Sequence, residues 1–337
     1  MFVFILIVIC VMYFINRIIP PLYYWKKRGI FYVNPLIRLQ QVFFNGKSFA
    51  QIIRQAYEEY PDKRYYGSYQ FLKPSLFVRD LDLIKQLTVK DFDHFTDHVD
   101  IFRGDQDSIL SKNLFTMKGK EWRELRTTLS PAFTSAKMKA MFVLISEAAK
   151  KFAEHFQDLN EEIVEVEMKE AYSKFTNDVI ATCAFGISCD SLKDPSNEFF
   201  SMGKLVTATS PLRMLRALLF GFFPKLIHLL RIPAMPEEVT SFFKRIITDT
   251  ISFREKEGTI RPDLIHLLME ARKGKLSHES QPSNTNDAGF ATVAEIRDSK
   301  SKSTLEISDD LVTAQALIFF LAGFETSSSL LSFYPTS

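Results

Sequence analysis

Cysteine and glycine are both scarce in this sequence, and each shortage excludes a class of protein. Three of the 337 residues are cysteines, at positions 10, 183 and 189, so a disulfide framework is excluded and nothing demands an oxidising compartment. Glycine occurs 12 times, well below its usual share of roughly 7%. A glycine-rich β architecture is therefore disfavoured, and long helices are favoured.

A strong excess of charge of either sign is also missing. Lys and Arg total 42 against 40 for Asp and Glu, a net charge of +2, so the overall basic excess typical of nucleic-acid binders is not present. Apolar residues are abundant instead, at 46% of the chain with 32 phenylalanines. This composition predicts a globular protein with one large core or two modest ones, and no nucleic acid among its partners.

A long apolar run opens the sequence and predicts a membrane anchor. Residues 1–19 are interrupted only by Asn16 and Arg17, and about 28 Å of helix approaches the hydrocarbon thickness of a bilayer. No basic residue precedes the run, as a cleavable signal peptide would require, whereas residues 26–28 are all basic. The positive-inside rule then predicts a luminal N-terminus and a cytosolic body. A buried core helix is the alternative.

Two prolines separate this predicted anchor from the rest of the chain. Because Pro20 and Pro21 cannot continue a helix, residues 20–45 are predicted to form a proline hinge and basic linker, and residues 46–337 one domain. Hydrophobic periodicity predicts a helix at 48–60 and a hairpin at 64–79. Further helices are predicted at 80–88, 119–129, 135–157, 168–185, 196–208, 236–257, 262–272 and 308–333. The fold class is therefore mainly α with a small β-hairpin near the N-terminus.

Two connections differ in composition from these helices. Residues 211–233 are strongly apolar with interspersed Arg and Lys, which is typical of amphipathic helices that touch a membrane surface, although core packing explains the composition almost as well. Residues 274–304 are rich in Ser, Asn, Asp, Lys and Thr. They are predicted to form a long solvated loop.

The first segment with possible chemistry lies on the predicted helix at 119–129. Trp122 and Arg126 are four residues apart, so an indole N–H and a guanidinium project from one helix face. Both groups donate hydrogen bonds and neither accepts, which suits a carboxylate or phosphate ligand. Taken alone, however, the pair is better explained as ordinary helix surface with the Arg paired to a neighbouring Glu.

The second segment is the predicted helix at 308–333. Ser308 is a good N-cap, because its hydroxyl can accept a bond from an unpaired amide. Residues 314–324 are apolar apart from Gln315. This stretch is therefore predicted to be buried on all sides.

Four residues in the middle of this helix are unusual for a buried position. Gly323 costs about 1 kcal/mol relative to alanine, and Glu325 needs a partner or solvent. Thr326 can bond back to the Ala322 carbonyl and loosen the turn. Together they predict a pocket for a small polar ligand with a route for protons. Close packing through Gly323, with the acid at the surface, is an equally good interpretation.

Taken together, the two segments resemble motifs of the cytochromes P450, the haem-thiolate monooxygenases, and most of all their insect microsomal members. E-W-R-E-L-R at 121–126 resembles the W-x-x-x-R helix of the family, and A-G-F-E-T at 322–326 resembles its [AG]-G-x-[DE]-T helix. The segments are about 190 residues apart behind an N-terminal anchor. The resemblance covers residues 1 to about 332 and implies an incomplete cytochrome P450 fold behind one transmembrane helix.

The resemblance implies a haem cofactor and a role for each motif residue. Trp122 and Arg126 would bind the haem propionates. Ala322 and Gly323 would shape the oxygen groove and so belong to the cofactor site. The catalytic residues would be Thr326, which would hydrogen-bond the oxygen, and Glu325, which would help to deliver protons.

Substrate and partners follow from the same resemblance. Ile318 and Leu321 would face substrate, and the phenylalanines would line a broad cavity for lipophilic or foreign compounds. The implied electron donors are NADPH-cytochrome P450 reductase and cytochrome b5, and the implied location is the endoplasmic reticulum membrane. A basic face for such a donor would include Lys118, Lys120, Arg123, Lys137 and Lys139. A solvated helix face is the other explanation for these charges.

The sequence departs from the family pattern near its end. It has no E-x-x-R motif and no F-x-x-G-x-x-x-C loop, and neither Cys183 nor Cys189 lies in such a loop, so no metal ligand is predicted. We therefore expect the N-terminal portion of a monooxygenase, from a partial gene model, a truncated transcript or a splice variant, that is inactive alone. The alternative function is a non-catalytic, membrane-anchored helical protein that binds a lipid or protein partner.

Overall fold

The structure, a computed structural model, describes most but not all of the chain. The described residues are 12, 23–34, 37, 46–70, 73–99, 109–208, 210–261, 263–273 and 306–333. Apart from Met12, the predicted anchor at 1–19 lies outside them, as do Pro20, Pro21 and the predicted loop at 274–304. The chain forms two compact units, one ending at Thr96 and the other beginning at Asp97.

Among its described residues, the first unit contains three short α-helices, two further helical turns and the predicted hairpin. These elements are α1 (Tyr24–Lys27), α2 (Phe49–Glu58), β1 (Tyr65–Gln70), β2 (Lys73–Val78), α3 (Leu81–Lys85), a π turn (Gln86–Lys90) and a 3₁₀ turn (Phe92–His94). The hairpin prediction is confirmed, since β1 and β2 pair antiparallel with Tyr65 opposite Val78. A capping box starts α2, in which the Gln51 amide donates to Ser48 Oγ at 3.3 Å and the Ser48 amide donates to Gln51 Oε1 at 2.8 Å.

Aromatic packing holds this first unit together. The Trp25 ring is buried directly over Gly67, where an added Cβ would lie 2.4 Å from a ring carbon. Its indole N–H donates to the Ser68 carbonyl at 2.8 Å. The buried Tyr66 hydroxyl donates to the Ala56 carbonyl at 2.6 Å. Because the ring fills the space above Gly67, any larger residue there would displace Trp25.

The second unit is helical throughout the part that the structure describes. Its elements are a 3₁₀ turn (Ile109–Lys112), α4 (Gly119–Leu129), a 3₁₀ turn (Ser130–Phe133), α5 (Ser135–Gln157), α6 (Met168–Ile180) with a π turn (Ala181–Phe185), α7 (Glu198–Thr207), α8 (Pro211–Phe222), α9 (Pro224–Leu229), α10 (Glu237–Glu257), α11 (Leu264–Arg272) and α12 (Asp309–Ser332). The predicted bounds of α4 and α5 are confirmed. The mainly α class with one small hairpin is also confirmed.

Phenylalanine rings fill the core of the second unit. The ring centroids of Phe185 and Phe199 are 5.1 Å apart, those of Phe243 and Phe320 are 5.0 Å apart, and those of Phe320 and Phe324 are 5.3 Å apart. The resemblance implied that the phenylalanines line a broad cavity, and these five instead pack against one another in the core. Edge, tilted and stacked contacts between the rings close the space that a cavity would need.

A buried ion pair joins α10 to the start of α11. Arg254 donates two bonds to the Asp263 carboxylate, at 2.7 and 2.6 Å, and both side chains are almost fully buried. The same carboxylate caps α11 by accepting from the His266 amide at 3.0 Å. Gly186 lies against the pair with φ +69°, and an added Cβ there would lie 2.1 Å from the guanidinium. This corner therefore requires glycine for both conformation and space.

One helix among the described residues is long and apolar enough to cross a membrane. It is α12, which has a mean hydropathy of 1.3 and of which 56% of the most apolar stretch is buried inside the protein. A helix buried in the core of a protein can be as long and as apolar as a helix that spans a membrane. The structure therefore does not confirm a transmembrane helix.

Candidate functional site

The first half of α12 is enclosed and tied to the segment that precedes α4. Ser308 is the N-cap, as predicted, because the Leu311 amide donates to its Oγ at 3.2 Å. The buried Gln315 donates from Nε2 to the Lys112 carbonyl at 2.8 Å and accepts from the Leu114 amide at 2.8 Å. Gln315 therefore fixes the chain before α4 against α12.

The second half of α12 is open on one side. Beyond Leu317 the buried residues narrow to a stripe of Phe320, Phe324 and Ser328, whereas Ala322 is exposed. The prediction that 314–324 is buried on all sides is therefore wrong from Ile318 onward, because the described elements pack against this half along the stripe and leave the other side uncovered. We call the uncovered side the open face of α12, formed by Ile318, Ala322, Glu325 and Thr326. The half-buried Phe319 lies at its edge, where it also packs against the core.

The Thr326 side chain bonds as predicted, but the helix does not loosen. Its hydroxyl donates to the Ala322 carbonyl. Nevertheless α12 stays α-helical from Asp309 to Ser332, so this bond adds to the backbone ladder without breaking it. Both Ala322 and Thr326 are exposed on the open face.

Gly323 allows α12 and α6 to pack closely. An added Cβ would lie 2.8 Å from Ile180 Cδ1 at the end of α6, and one turn away the Thr176 hydroxyl donates to the Phe324 carbonyl at 3.1 Å. Close packing through Gly323 was one of the two interpretations left open by the sequence, and it describes this position. Neither Ile180 nor Thr176 could be singled out from the sequence, because periodicity predicts a helix at 168–185 but not its neighbour.

Glu325 has both a charged partner and access to water. Its carboxylate lies 2.8 Å from Lys169 Nζ at the start of α6, and about half of its side chain is exposed. Ser329 Oγ lies 3.4 Å from the same carboxylate. The requirement for a partner or solvent at Glu325 is therefore met by both, and the partner, Lys169, was not predicted.

Trp122 and Arg126 lie on α4 as expected. Leu125 and Leu129 are buried and attach this helix to the core, whereas Trp122 is half-buried and Arg126 is exposed. An indole N–H and a guanidinium on the accessible side of a fixed helix could together bind a carboxylate.

The two motif segments meet through a pair of aromatic rings. Phe133, in the 3₁₀ turn directly after α4, lies with its ring centroid 5.3 Å from that of Phe319. Phe319 lies at the edge of the open face, one turn before Ala322. The end of the Trp122 helix is therefore placed beside the open face of α12.

The two predicted substrate residues occupy different surroundings. Ile318 is half-buried on the open face. Leu321 is also half-buried but packs against the hydrophobic core. Ile318 therefore shares a face with Ala322 and Thr326, and Leu321 does not.

Neither described cysteine suits a thiolate ligand. Burial raises the pKa of both the Cys183 and the Cys189 thiol to about 11. At neutral pH an uncoordinated thiol with this pKa stays protonated. Neither cysteine lies in an F-x-x-G-x-x-x-C loop, which the resemblance assigns to the thiolate ligand, so neither is a candidate for that role.

The family profile and the similar proteins all indicate the same family. The sequence profile of the cytochrome P450 family matches residues 30–334, and the chain therefore belongs to that family. It is 41% identical over 301 residues to cytochrome P450 9e2 of Blattella germanica, an alignment that covers 85% of this chain and 54% of the relative. It is 33% identical over 322 residues to probable cytochrome P450 9f2 of Drosophila melanogaster, covering 92% of this chain and 59% of the relative. The chain thus spans less than two thirds of the length of these relatives.

Proposed function

We propose that this protein is a haem-thiolate monooxygenase that oxidises lipophilic or foreign compounds with molecular oxygen. The observation that carries the proposal is the open face of α12, where Ala322 and Thr326 are exposed on a helix whose first half is buried, close to the end of α4. When bound, haem supplies the oxygen-activating chemistry. The chain's own residues would hold the cofactor and manage protons beside it.

The described residues fit one side of a haem. Arg126 and Trp122 supply only donors, as propionate carboxylates require. The small Ala322 leaves room on the open face, and Phe133 and Phe319 give that room an apolar edge. Cys183 and Cys189 are not assigned as iron ligands, because neither lies in an F-x-x-G-x-x-x-C loop. The proposal therefore assigns Trp122 and Arg126 to holding the propionates and Ala322 to the room for oxygen, and it assigns no cysteine among the described residues as an iron ligand.

Two residues of the open face would manage protons. Rotation of the Thr326 hydroxyl away from the Ala322 carbonyl would present its proton to a ligand on the open face. Glu325 reaches solvent with half of its side chain, so its carboxylate could exchange protons with water and pass them inward. Ile318 lies on the same face and would contact substrate. Leu321, which packs against the core, would support this face and reach the substrate only at its margin.

A reduced carbon monoxide difference spectrum tests the proposal. It is measured on the protein translated from the complete transcript, here called the full-length protein, and not on the 337 residues alone. We expect a thiolate-type Soret band, weakened in Arg126→Leu and Trp122→Phe because fewer donors hold the propionates. Arg123→Leu, on the same helix, is the matched control and should keep the band. A full-length protein without the band would contradict the proposal and favour the alternative, a non-catalytic membrane protein that binds a lipid or protein partner.

We also propose that the protein lies at the endoplasmic reticulum membrane. Support comes from α8 and α9, which bury Phe220 and Ile227 but expose Leu212 and Leu229 to 74% and 76%. Exposed leucines beside basic residues are typical of helices that lie in a membrane surface. In a variant that lacks residues 1–19, Leu212→Glu with Leu229→Glu should reduce sedimentation with phosphatidylcholine vesicles. Unchanged sedimentation would contradict contact through these helices.

Electron supply by a reductase, with cytochrome b5 as a second donor, is the last part of the proposal. Lys120, Arg123 and Lys139 are exposed on α4 and α5, and such cations could attract an acidic donor at low salt. Arg123→Glu with Lys139→Glu should slow reduction of the protein and weaken its salt dependence. Lys193→Glu, which also removes an exposed lysine, is the control.

A further inference from the structure

Lys169 makes an unusually complete set of bonds to α12. Its Nζ lies 2.8 Å from Glu325 Oε1, 2.8 Å from Ser328 Oγ and 2.8 Å from Ser329 Oγ. An ammonium has three donors, and each has an acceptor here. All three acceptors lie within five residues of one helix, on the segment that carries Ala322 and Thr326.

The position of Lys169 on its own helix makes this arrangement more than an ordinary surface ion pair. It is the second residue of α6, two positions after the N-cap Glu167, where the positive end of the helix dipole disfavours a cation. Ser328, one of the acceptors for the Lys169 ammonium, is fully buried. Lys169 can reach it only because α6 and α12 pack closely. The favourable bonds therefore come from α12 and not from α6.

The three acceptors lie on different sides of α12. Ser328 belongs to the buried stripe, whereas Glu325 belongs to the open face. Because Nζ bonds both at once, it fixes the glutamate at the boundary between them. Ser329, 3.4 Å from the same carboxylate, limits its movement further. Without the ammonium, the Glu325 side chain would be free to extend into water.

We propose that Lys169 is a positioning residue that holds the Glu325 carboxylate at the edge of the open face for proton delivery. This inference rests on the proposed monooxygenase function, because it assigns a supporting residue to the same site. Lys169 itself does not touch the open-face residues Ala322 or Thr326 by any described bond. Its effect would pass through Glu325.

The experiment compares Lys169→Met and Lys169→Arg in the full-length protein. Lys174→Met is the matched control, since Lys174 lies on the same helix and pairs with Glu170 at 3.1 Å. The first readout is a double-mutant cycle with Glu325→Gln in thermal unfolding, which needs no haem. We expect the double variant to lose about 1–3 °C less than the sum of the single variants.

The second readout is the fate of NADPH electrons with reductase and 7-ethoxycoumarin as a lipophilic probe. We expect Lys169→Met to keep the carbon monoxide difference spectrum and the KM, to lower kcat about tenfold, and to release more hydrogen peroxide per NADPH. Lys169→Arg should recover most of the product, because it keeps the charge, and Lys174→Met should match the wild type.

The role of Lys169 and the proposed monooxygenase function would be contradicted by different results. Additive effects in the unfolding cycle would overturn it whether or not haem binds. Coupling without a change in peroxide release would also overturn it, because Lys169 would then be only structural. A wild-type protein without a thiolate-type spectrum would instead overturn the proposed function, and the role in proton delivery with it.

Discussion

At the scale of single residues, two helical glycines meet neighbours of different stiffness. An added Cβ at Gly323 would lie 2.8 Å from Ile180 Cδ1, the end of a flexible side chain, whereas at Gly203 it would lie 2.9 Å from Phe320 Cζ within the packed rings. We predict that Gly323→Ala changes the free energy of unfolding by less than about 1 kcal/mol, because helix propensity offsets the shift. Gly203→Ala should destabilise by about 1–3 kcal/mol.

Urea unfolding of the two variants checks this order. A larger loss for Gly323→Ala than for Gly203→Ala would show that Ile180 cannot move, and that α6 and α12 are packed more rigidly than the side-chain geometry indicates.

Thiol reactivity gives a second prediction at this scale. Since burial raises the pKa of Cys183 and Cys189 from 9.0 to about 11, the thiolate fraction at pH 8 should be about a hundredfold below that of an unperturbed thiol. In a Cys10→Ser background, alkylation by iodoacetamide should therefore be slow and should accelerate as the pH rises. Urea-unfolded protein is the control, and equally fast labelling of the folded protein would contradict the prediction.

At the scale of elements, Gln315 joins α12 to the segment before α4. Gln315→Leu would remove the bonds to the Lys112 carbonyl and the Leu114 amide, and we predict a loss of about 1–3 kcal/mol because these groups would lack a partner. Hydrogen exchange should become faster at residues 109–117 in particular. Gln157→Leu, at the exposed end of α5, is the control. A uniform increase in exchange over all helices would contradict a local joint.

Much of this level of structure was predictable, and the exceptions have a common cause. The bounds of α4 and α5 followed from periodicity, since each helix alternates between core and solvent. Residues 314–324 are apolar apart from Gln315, so their pattern holds almost no information about which side faces solvent. The ion pair of Lys169 and Glu325 could not be predicted either. The two residues are 156 positions apart in the sequence, and each charge alone is what an exposed helix surface would show.

At the scale of the whole molecule, the Arg254–Asp263 pair is the main buried electrostatic joint among the described residues. Arg254→Met would remove both hydrogen bonds from the guanidinium to the buried carboxylate and leave only Arg261 Nε, 3.5 Å away, as a cationic neighbour in the described part of the chain. We predict a loss of about 3 kcal/mol, the low end of the range for a broken buried pair. Arg245→Met is the matched control on the same helix, since its pair with Glu198 is well exposed, and it should cost at most about 1 kcal/mol. Similar losses in thermal unfolding would contradict this difference.

The motif segments were found through resemblance to a family, and their arrangement came from the fold. Trp122 and Arg126 could be placed on one helix from their spacing alone. Their closeness to the open face depends on Phe133 meeting Phe319, a contact between residues far apart in sequence. No local pattern predicts such a contact, because either ring could equally have entered the core.

The distribution of tryptophan makes the molecule its own optical probe. The chain has two tryptophans, and each compact unit has one, with Trp25 buried against Gly67 and Trp122 half-buried on α4. Emission from a Trp122→Phe variant would report on the first unit and emission from a Trp25→Phe variant on the second. Comparing their denaturation curves would reveal whether the units unfold together, and quenching confined to Trp122 would report a porphyrin nearby.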